Sequence, residues 1–355
     1  MGPRRLLIVD ASAVIRQRLT VALATAPAID VVGSAASGRS ALMKLPLLRP
    51  DVIALDADLP GTDSLDTLAA IRLASPRLPV VLLSTAAPRA AASTVDALSQ
   101  GAHDYVMKPE AAVPTDEAIG QLCTHLLMWI DECCPDPSEC RPTRVTQPNG
   151  SVAVDARIDV VAIGISTGGP GALMELIPAF AADFPVPILI VQHMPPMFTK
   201  LLGERLASRA RIKVAEGAAS RLVAAGQAWI APGGFHMAVA RDSRGVELTT
   251  SQAPPENSCR PSVDVLFRSV AEVYGRHALA IVMTGMGQDG LRGCQRVHAV
   301  GGHVFAQDES SSVVWGMPGV VARAGLADQI VPLKALGAAI VERVYRHRQS
   351  ACVTA

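Results

Sequence analysis

Five short apolar runs, Leu6 to Asp10, Ile29 to Ala35, Asp51 to Asp56, Pro79 to Ser84 and His103 to Lys108, alternate with helical patterns over the first third of the chain. They recur at roughly 25-residue spacing, which leaves room for one helix between strands and implies a parallel sheet with right-handed crossovers. Three of these strands end in Asp10, Asp56 and Ser84, and Lys108 follows the fifth. In a parallel sheet all such ends lie on one edge, so two acids, a hydroxyl and an ammonium are expected to converge there. That set suits phosphoryl transfer to a carboxylate. Asp56 would attack, Lys108 and Ser84 would hold the product's oxygens, and Mg²⁺ on the acids would neutralise the incoming group.

The second half carries one stretch of comparable information, Val160 to Pro170. A β-branched apolar run leads into Gly164-Ile165-Ser166-Thr167-Gly168-Gly169-Pro170 and then an apolar-periodic segment, Ala172 to Phe180. This reads as strand, sharp turn and helix with a serine at the elbow, the pattern that exposes a seryl oxygen at the carboxyl end of a strand. A dinucleotide loop is the weaker reading, because Ser166 stands where a glycine must let the pyrophosphate approach. An ordinary helix-capping serine is the plain alternative.

A serine nucleophile needs a base and an acid to orient it. Val186 to Gln192 reads as a strand ending at His193, and His193, His236 and His303 all lie near strand or turn ends. The strand Leu279 to Thr284 runs into Gly285-Met286-Gly287-Gln288-Asp289-Gly290, where three glycines in six residues imply tight backbone with exposed N–H groups. Asp289, and equally Asp308 after the strand Gly302 to Gln307, could orient a histidine, and triads are recognised by geometry and not by chain order.

The 355 residues suggest two domains, and only 3% are aromatic. Lysine plus arginine balances aspartate plus glutamate at 32 each, so no nucleic-acid partner is indicated. No run approaches the roughly 18 apolar residues of a membrane span, and the apolar run near the N-terminus is too short for a signal peptide, so a cytoplasmic protein is expected. Its seven cysteines then read as reduced thiols. Asp131 to Asn149, with four prolines and Cys133, Cys134 and Cys140, has linker composition. Pro46 should end or kink the helix read over Arg39 to Arg49.

The motifs Leu6 to Asp10, Leu55 to Pro60, Leu82 to Ser84 and Asp104 to Pro109 resemble those of a response-regulator receiver domain, a doubly wound five-stranded parallel fold, over residues 4–128. The resemblance implies Asp56 as phospho-acceptor, Ser84 as switching hydroxyl, Lys108 as phosphate-binding ammonium, and Lys108-Pro109 as a cis peptide. Receivers usually carry two adjacent acids after the first strand, whereas Ala11 follows Asp10 here. With Asp10 and Asp56 as ligands and Asp58 as the carboxylate that could stand in for the missing one, weak Mg²⁺ binding is expected. After a linker over 129–151, residues 152–345 are similar to the catalytic domain of the chemotaxis protein-glutamate methylesterases, a doubly wound α/β domain with a mainly parallel sheet. The likeness rests on Gly164 to Pro170, Val191 to Pro196, Arg260 to Phe267, Thr284 to Gly290 and Gly316 to Pro318. It implies Ser166 as nucleophile, His193 as base, Asp289 as its orienter, the Met286 N–H in the oxyanion hole and Thr167 beside the serine, with no cofactor for catalysis. Cys259 stands where the family commonly has histidine. The implied activity is hydrolysis of glutamate γ-methyl esters on methyl-accepting chemotaxis receptors, with deamidation of receptor glutamines. A chemotaxis histidine kinase would be the phosphodonor, and the receiver would cover the active site until Asp56 is phosphorylated. A signalling module with an idle hydrolase domain is the alternative.

Overall fold

The computed structural model describes residues 2–60, 64–109, 114–133 and 156–348, and the chain divides into two compact units, Met1–Pro142 and Thr143–Ala355. The first holds β1 (Arg4–Val9), β2 (Ile29–Ala35), β3 (Val52–Asp56), β4 (Val80–Ser84) and β5 (Asp104–Met107) in one parallel sheet of order β2-β1-β3-β4-β5. Helices α1 (Ala13–Leu23), α2 (Gly38–Leu48), α3 (Ser64–Ala74) and α4 (Pro88–Ser99) fill the four crossovers, and α5 (Asp116–Cys133) follows the last strand. Ser12 and Ser37 start α1 and α2 by accepting the Ile15 and Ser40 amides at their hydroxyls, which satisfies donors that no helical carbonyl can reach. The central strands are buried on both faces, and Leu6, Ile8, Ala54, Val81 and Leu83 pack with Leu19, Leu23, Leu122, Leu126 and Trp129 from α1 and α5.

Three expectations for this unit change. Pro46 lies inside α2, which runs on to Leu48; the proline falls in the last turn, where few helical hydrogen bonds remain to be lost, and Arg49 in left-handed conformation closes the helix through its N–H to the Leu45 carbonyl. Among the described residues the sole cis peptide is Arg260-Pro261, so Lys108-Pro109 is trans, the lower-energy form of an X–Pro bond. The last helix continues to Cys133, three residues into the stretch of linker composition; Cys134, Cys140 and the rest of that stretch lie outside the described residues.

The second unit is a seven-stranded parallel sheet of order β14-β13-β12-β6-β7-β9-β8. Its strands are β6 (Val160–Ile165), β7 (Ile188–Gln192), β8 (Lys213–Glu216), β9 (Gln227–Ile230), β12 (Ala278–Val282), β13 (His303–Gln307) and β14 (Gln329–Val331), while β10 (His236–Asp242) and β11 (Gly245–Ser251) form a separate antiparallel hairpin. Its helices are α6 (Gly169–Leu176), α7 (Phe198–Ala207), α8 (Val263–Tyr274), α9 (Leu291–Ala299), α10 (Met317–Arg323) and α11 (Leu333–Tyr345). From β6 the chain goes to β7 on one side and later to β12 on the other, so the winding reverses at β6. Open α/β sheets place their ligands at the carboxyl ends of strands beside such a reversal. Below it Val160, Ala162, Val191, Val263, Phe267, Ala280 and Val282 form a dry core with the hairpin's Met237 and Leu248. No helix among the described residues is long and apolar enough to cross a membrane.

His103 offers a test of the first unit. Its Nδ1 accepts the Val80 amide at 3.3 Å and meets Arg72 at 3.2 Å, and burial, then the Arg72 charge, push its pKa down to about 4. The folded value lies below that of the unfolded chain, so the neutral ring's stabilisation is complete above pH 6.5 and is lost as pH falls toward 4. Urea unfolding of the receiver-like unit's signals should lose about 3 kcal/mol across that window from this group, and His103→Gln should show correspondingly less loss.

Candidate active site

Ser166 stands one residue past β6, at the sheet's reversal. Its N–H donates to the Thr284 carbonyl at 3.0 Å, and its carbonyl accepts the Gly169 amide at 2.8 Å and Gln192 Nε2 at 2.9 Å. The turn closes because Gly168 takes a left-handed φ of +75° and leads directly into α6. The loop after β12 comes up against the serine at Gly285, where an added Cβ would lie 2.8 Å from Ser166 Cβ and 2.5 Å from Met317 Sδ; only glycine allows that approach. Thr284 pins the loop, its hydroxyl donating to the Thr167 carbonyl at 2.9 Å and accepting the Val313 and Val314 amides. The Met286 N–H has no acceptor among the described residues.

His193 follows β7, and its Nε2 lies 2.8 Å from Asp289 Oδ2. A carboxylate only accepts, so Nε2 carries the proton and Nδ1 is the nitrogen left over. Nδ1 faces the Cys259 thiol at 3.7 Å, and the Ser166 hydroxyl makes no hydrogen bond to His193 among the described residues. Asp289 is 2% exposed and accepts more: Val263 N at 2.7 Å on Oδ2, and Asn257 Nδ2, Ser262 Oγ, Asp264 N and Gly290 N on Oδ1. Burial acts to raise the Asp289 pKa, but the His193 contact and these amides hold it down, at about 2. Burial likewise opposes charge on His193, and the hydrogen bonds to Asp289 and Cys259 outweigh it, raising that pKa to about 9.

The rival groups go elsewhere. His236 Nδ1 accepts the Ser262 amide and its Nε2 meets the Pro254 carbonyl, His303 lies between Arg343 and Asp328, and Asp308 binds Ser310 and Ser311.

The first unit gathers its own polar edge. Lys108 Nζ bridges Asp10 Oδ2 at 2.9 Å and Asp56 Oδ1 at 2.7 Å, both carboxylates being buried. Burial raises the Asp10 pKa and Lys108 partly offsets it; on Lys108 the two carboxylates outweigh burial and raise the ammonium's pKa. Ser84 Oγ is engaged with Thr94 Oγ1 at 2.6 Å, so of the four groups expected together the hydroxyl is turned to a neighbouring helix. Asp58 pairs with Arg89 at 3.1 Å, both largely exposed. For Mg²⁺, Asp10 and Asp56 are oxygen donors of the right kind, while position 11 contributes a methyl group and no third acid.

The pattern of the response regulator receiver domain matches residues 6–119, and that of the CheB methylesterase matches residues 161–340. A protein-glutamate methylesterase/protein-glutamine glutaminase of Trichodesmium erythraeum (strain IMS101) is 45% identical over 350 residues, covering 96% of this chain and 99% of its own. The chain belongs to the CheB methylesterase family. A second relative of that printed name, from Nocardioides sp. (strain ATCC BAA-499 / JS614), is 41% identical over 355 residues, 98% of this chain and 97% of its own. The crystal structure of the Thermotoga maritima CheB methylesterase catalytic domain superposes with a TM-score of 0.52 at 38% identity, over 53% of this chain and 99% of that one.

Within this CheB-family chain, Asn257, Ser262 and Asp264 are the site residues that sequence reading passed over. Asn257 links Asp289 to Asp264 at 2.8 and 2.9 Å, and Asp264 in turn accepts the Gly293 amide at 2.6 Å. No motif rule flags an asparagine in a turn as a bridge between two acids. The one available signal is the polar run Glu256 to Ser258 just ahead of Arg260-Pro261-Ser262, where Asn257 and Ser258 both take positive φ. Because the hydrogen bond to Asp289 is the largest single effect that raises the His193 pKa, NMR titration of His193 should show a midpoint well above 6.5, and Asp289→Asn should lower it.

Proposed function

We propose that this chain hydrolyses glutamate γ-methyl esters on methyl-accepting chemotaxis receptors through Ser166, His193 and Asp289. The observation that carries the reading is His193 held by a buried Asp289 beside the glycine-tightened Ser166 elbow, within the segment that matches the methylesterase pattern. With Nε2 committed to Asp289, the nitrogen that serves Ser166 is Nδ1. Formation of that contact requires the imidazole to exchange its Cys259 neighbour for the serine hydroxyl.

In the first step Ser166 Oγ attacks the ester carbonyl carbon while His193 accepts its proton. The oxyanion is met by the Met286 N–H, with Thr167 alongside, and collapse expels methoxide, which leaves as methanol with the proton from His193. Water then attacks the acyl-serine by the same proton relay, regenerating Ser166 and releasing the glutamate carboxylate. A γ-carboxamide in place of the ester yields ammonia, which is the deamidation named among the relatives. Imidazole must be neutral to accept the proton, so turnover should climb with pH across the range from 6.5 to about 9. Ser166→Ala should reduce methanol release from methylated receptor membranes by about four orders of magnitude or more; retention of most activity would remove Ser166 from the nucleophile's role.

The receiver half would control this activity through phosphorylation of Asp56 by a chemotaxis histidine kinase, with Lys108 holding the phosphoryl oxygens and Ser84 turning from Thr94 toward them. Mg²⁺ would be held by Asp10 and Asp56, supplying charge neutralisation, with low affinity because Ala11 brings no carboxylate. Methanol release by the full chain should rise with a small phosphodonor at high Mg²⁺, and Asp56→Asn should abolish the rise. Ala11→Asp should lower the Mg²⁺ concentration required by about tenfold or more, and an unchanged requirement would clear Ala11 of any part in it.

A further inference from the structure

The nitrogen that the esterase reaction needs is also one half of a soft metal-binding pair. Three facts converge on it. First, Asp289 accepts a hydrogen bond from Nε2–H of His193, which leaves Nδ1 as the ring's ligating atom and fixes the ring's plane, the outer-sphere arrangement that metal-binding histidines use. Second, Cys259 Sγ lies 3.7 Å from that Nδ1. A tetrahedral zinc with bonds of about 2.3 Å to sulfur and about 2.0–2.1 Å to nitrogen sets those two atoms roughly 3.5–3.6 Å apart, so the pair closes on the ion with a shift of a few tenths of an ångström. Third, the thiol is placed by its backbone and not by a flexible loop. Glu256 and Cys259 exchange N–H···O hydrogen bonds of 3.1 and 2.9 Å across a two-residue turn, with Asn257 and Ser258 at φ 52° and 62°. The three donor atoms of His193, Cys259 and Asp289 all lie within 4.8 Å of one another. The Asp289 carboxylate is already filled by protein donors, which assigns it to the outer sphere.

We propose that Cys259 Sγ and His193 Nδ1 form an inhibitory site for a thiophilic divalent cation of the zinc class, in which the metal occupies the nitrogen that Ser166 requires. On binding, the thiol proton and any proton on Nδ1 leave to solvent, two metal–ligand bonds form, and water or the Ser166 hydroxyl completes the coordination. Sulfur with imidazole selects Zn²⁺ or Co²⁺ over Mg²⁺, which takes oxygen donors, so the ion that serves the receiver does not close the esterase. The inhibition rests on the proposed role of His193; the metal site itself does not.

The test uses the full chain without chelators or thiols, with ZnCl₂ as inhibitor and CoCl₂ as spectroscopic probe. One equivalent of Co²⁺ should produce a sulfur-to-metal charge-transfer band. The band should persist when Cys133, Cys134 and Cys140 are together changed to serine and vanish in Cys259→Ala. One equivalent of Zn²⁺ should abolish most methanol release, EDTA should restore it, and the same concentration of MgCl₂ should leave it unaffected. Cys259→Ala, referred to its own metal-free rate, should need more Zn²⁺ for half-inhibition by more than the roughly tenfold that even loss of an outer-sphere partner costs. A missing Co²⁺ band in the unmodified chain, or one that survives Cys259→Ala, overturns the site whatever the enzyme's activity. A Cys259-dependent band with undiminished methanol release under Zn²⁺ keeps the site and overturns the assignment of Nδ1 to the reaction.

Discussion

A single buried carboxylate organises the catalytic unit. Asp289 collects six hydrogen bonds from the end of β7, the turn at Asn257, the start of α8 and the start of α9. An ionised carboxylate away from water is tolerable only when its oxygens are filled, and hydrogen bonds to a charge contribute about 1.5–3 kcal/mol each. Ser262 shows how the demand reshapes its surroundings. It sits at the cap of α8 but makes no side-chain cap, because its hydroxyl is given to Asp289, and the carboxylate itself accepts the Val263 amide and the Asp264 amide, the second of which a capping serine could have served. Asp289 is therefore the cap of α8, a counter-charge at that helix's positive end, and the orienter of His193 in one group. The imidazole is precise because the carboxylate that holds it also fastens the turn at Asn257 and the starts of α8 and α9.

The two halves use opposite solutions to the same electrostatic problem. At the edge of β1 and β3 two buried acids share one ammonium, so Asp10 and Asp56 are compensated by a long flexible side chain that can let go. In the loop after β12 one buried acid, Asp289, is compensated largely by fixed amides and a short imidazole. The first arrangement leaves its counter-ion able to move, and the second holds its partners in place.

Much of this was legible in the sequence because parallel sheets write themselves plainly. Strands buried on both faces read as unbroken apolar runs, and the polar residue ending each run is carried to the sheet's edge, which is how Asp10, Asp56, Lys108, Ser166 and His193 declare themselves. The edge strand β8, its neighbour β9 and the hairpin β10–β11 do not; Lys213 to Glu216 alternates between exposed and half-buried positions and resembles ordinary surface chain. Choosing Asp289 over Asp308 needed three dimensions or a family likeness, since both follow a buried strand and only the former reaches His193. Pro46 misled because the cost of a helical proline depends on how much helix follows it. Asn257 was invisible for a different reason: its role lies in bridging partners distant in sequence, and nothing in local pattern encodes a bridge; Asp264 lay within a motif of the family likeness, but its role there could not be read.

The imidazole has two nitrogens and three claimants. Asp289 takes Nε2 outright, which on the proposed mechanism leaves Ser166 and Cys259 to contend for Nδ1, and in this structure the thiol faces it. Thiols are weak hydrogen-bond donors, so the contact costs little to break and a substrate seated at the elbow need only draw the serine hydroxyl inward to displace it. The same weakness lets Cys259 stand against His193 without closing the site. A strong donor in that position would hold Nδ1 against the serine, whereas a thiol yields it, and it is only when a metal joins sulfur to nitrogen that the contact becomes a lock.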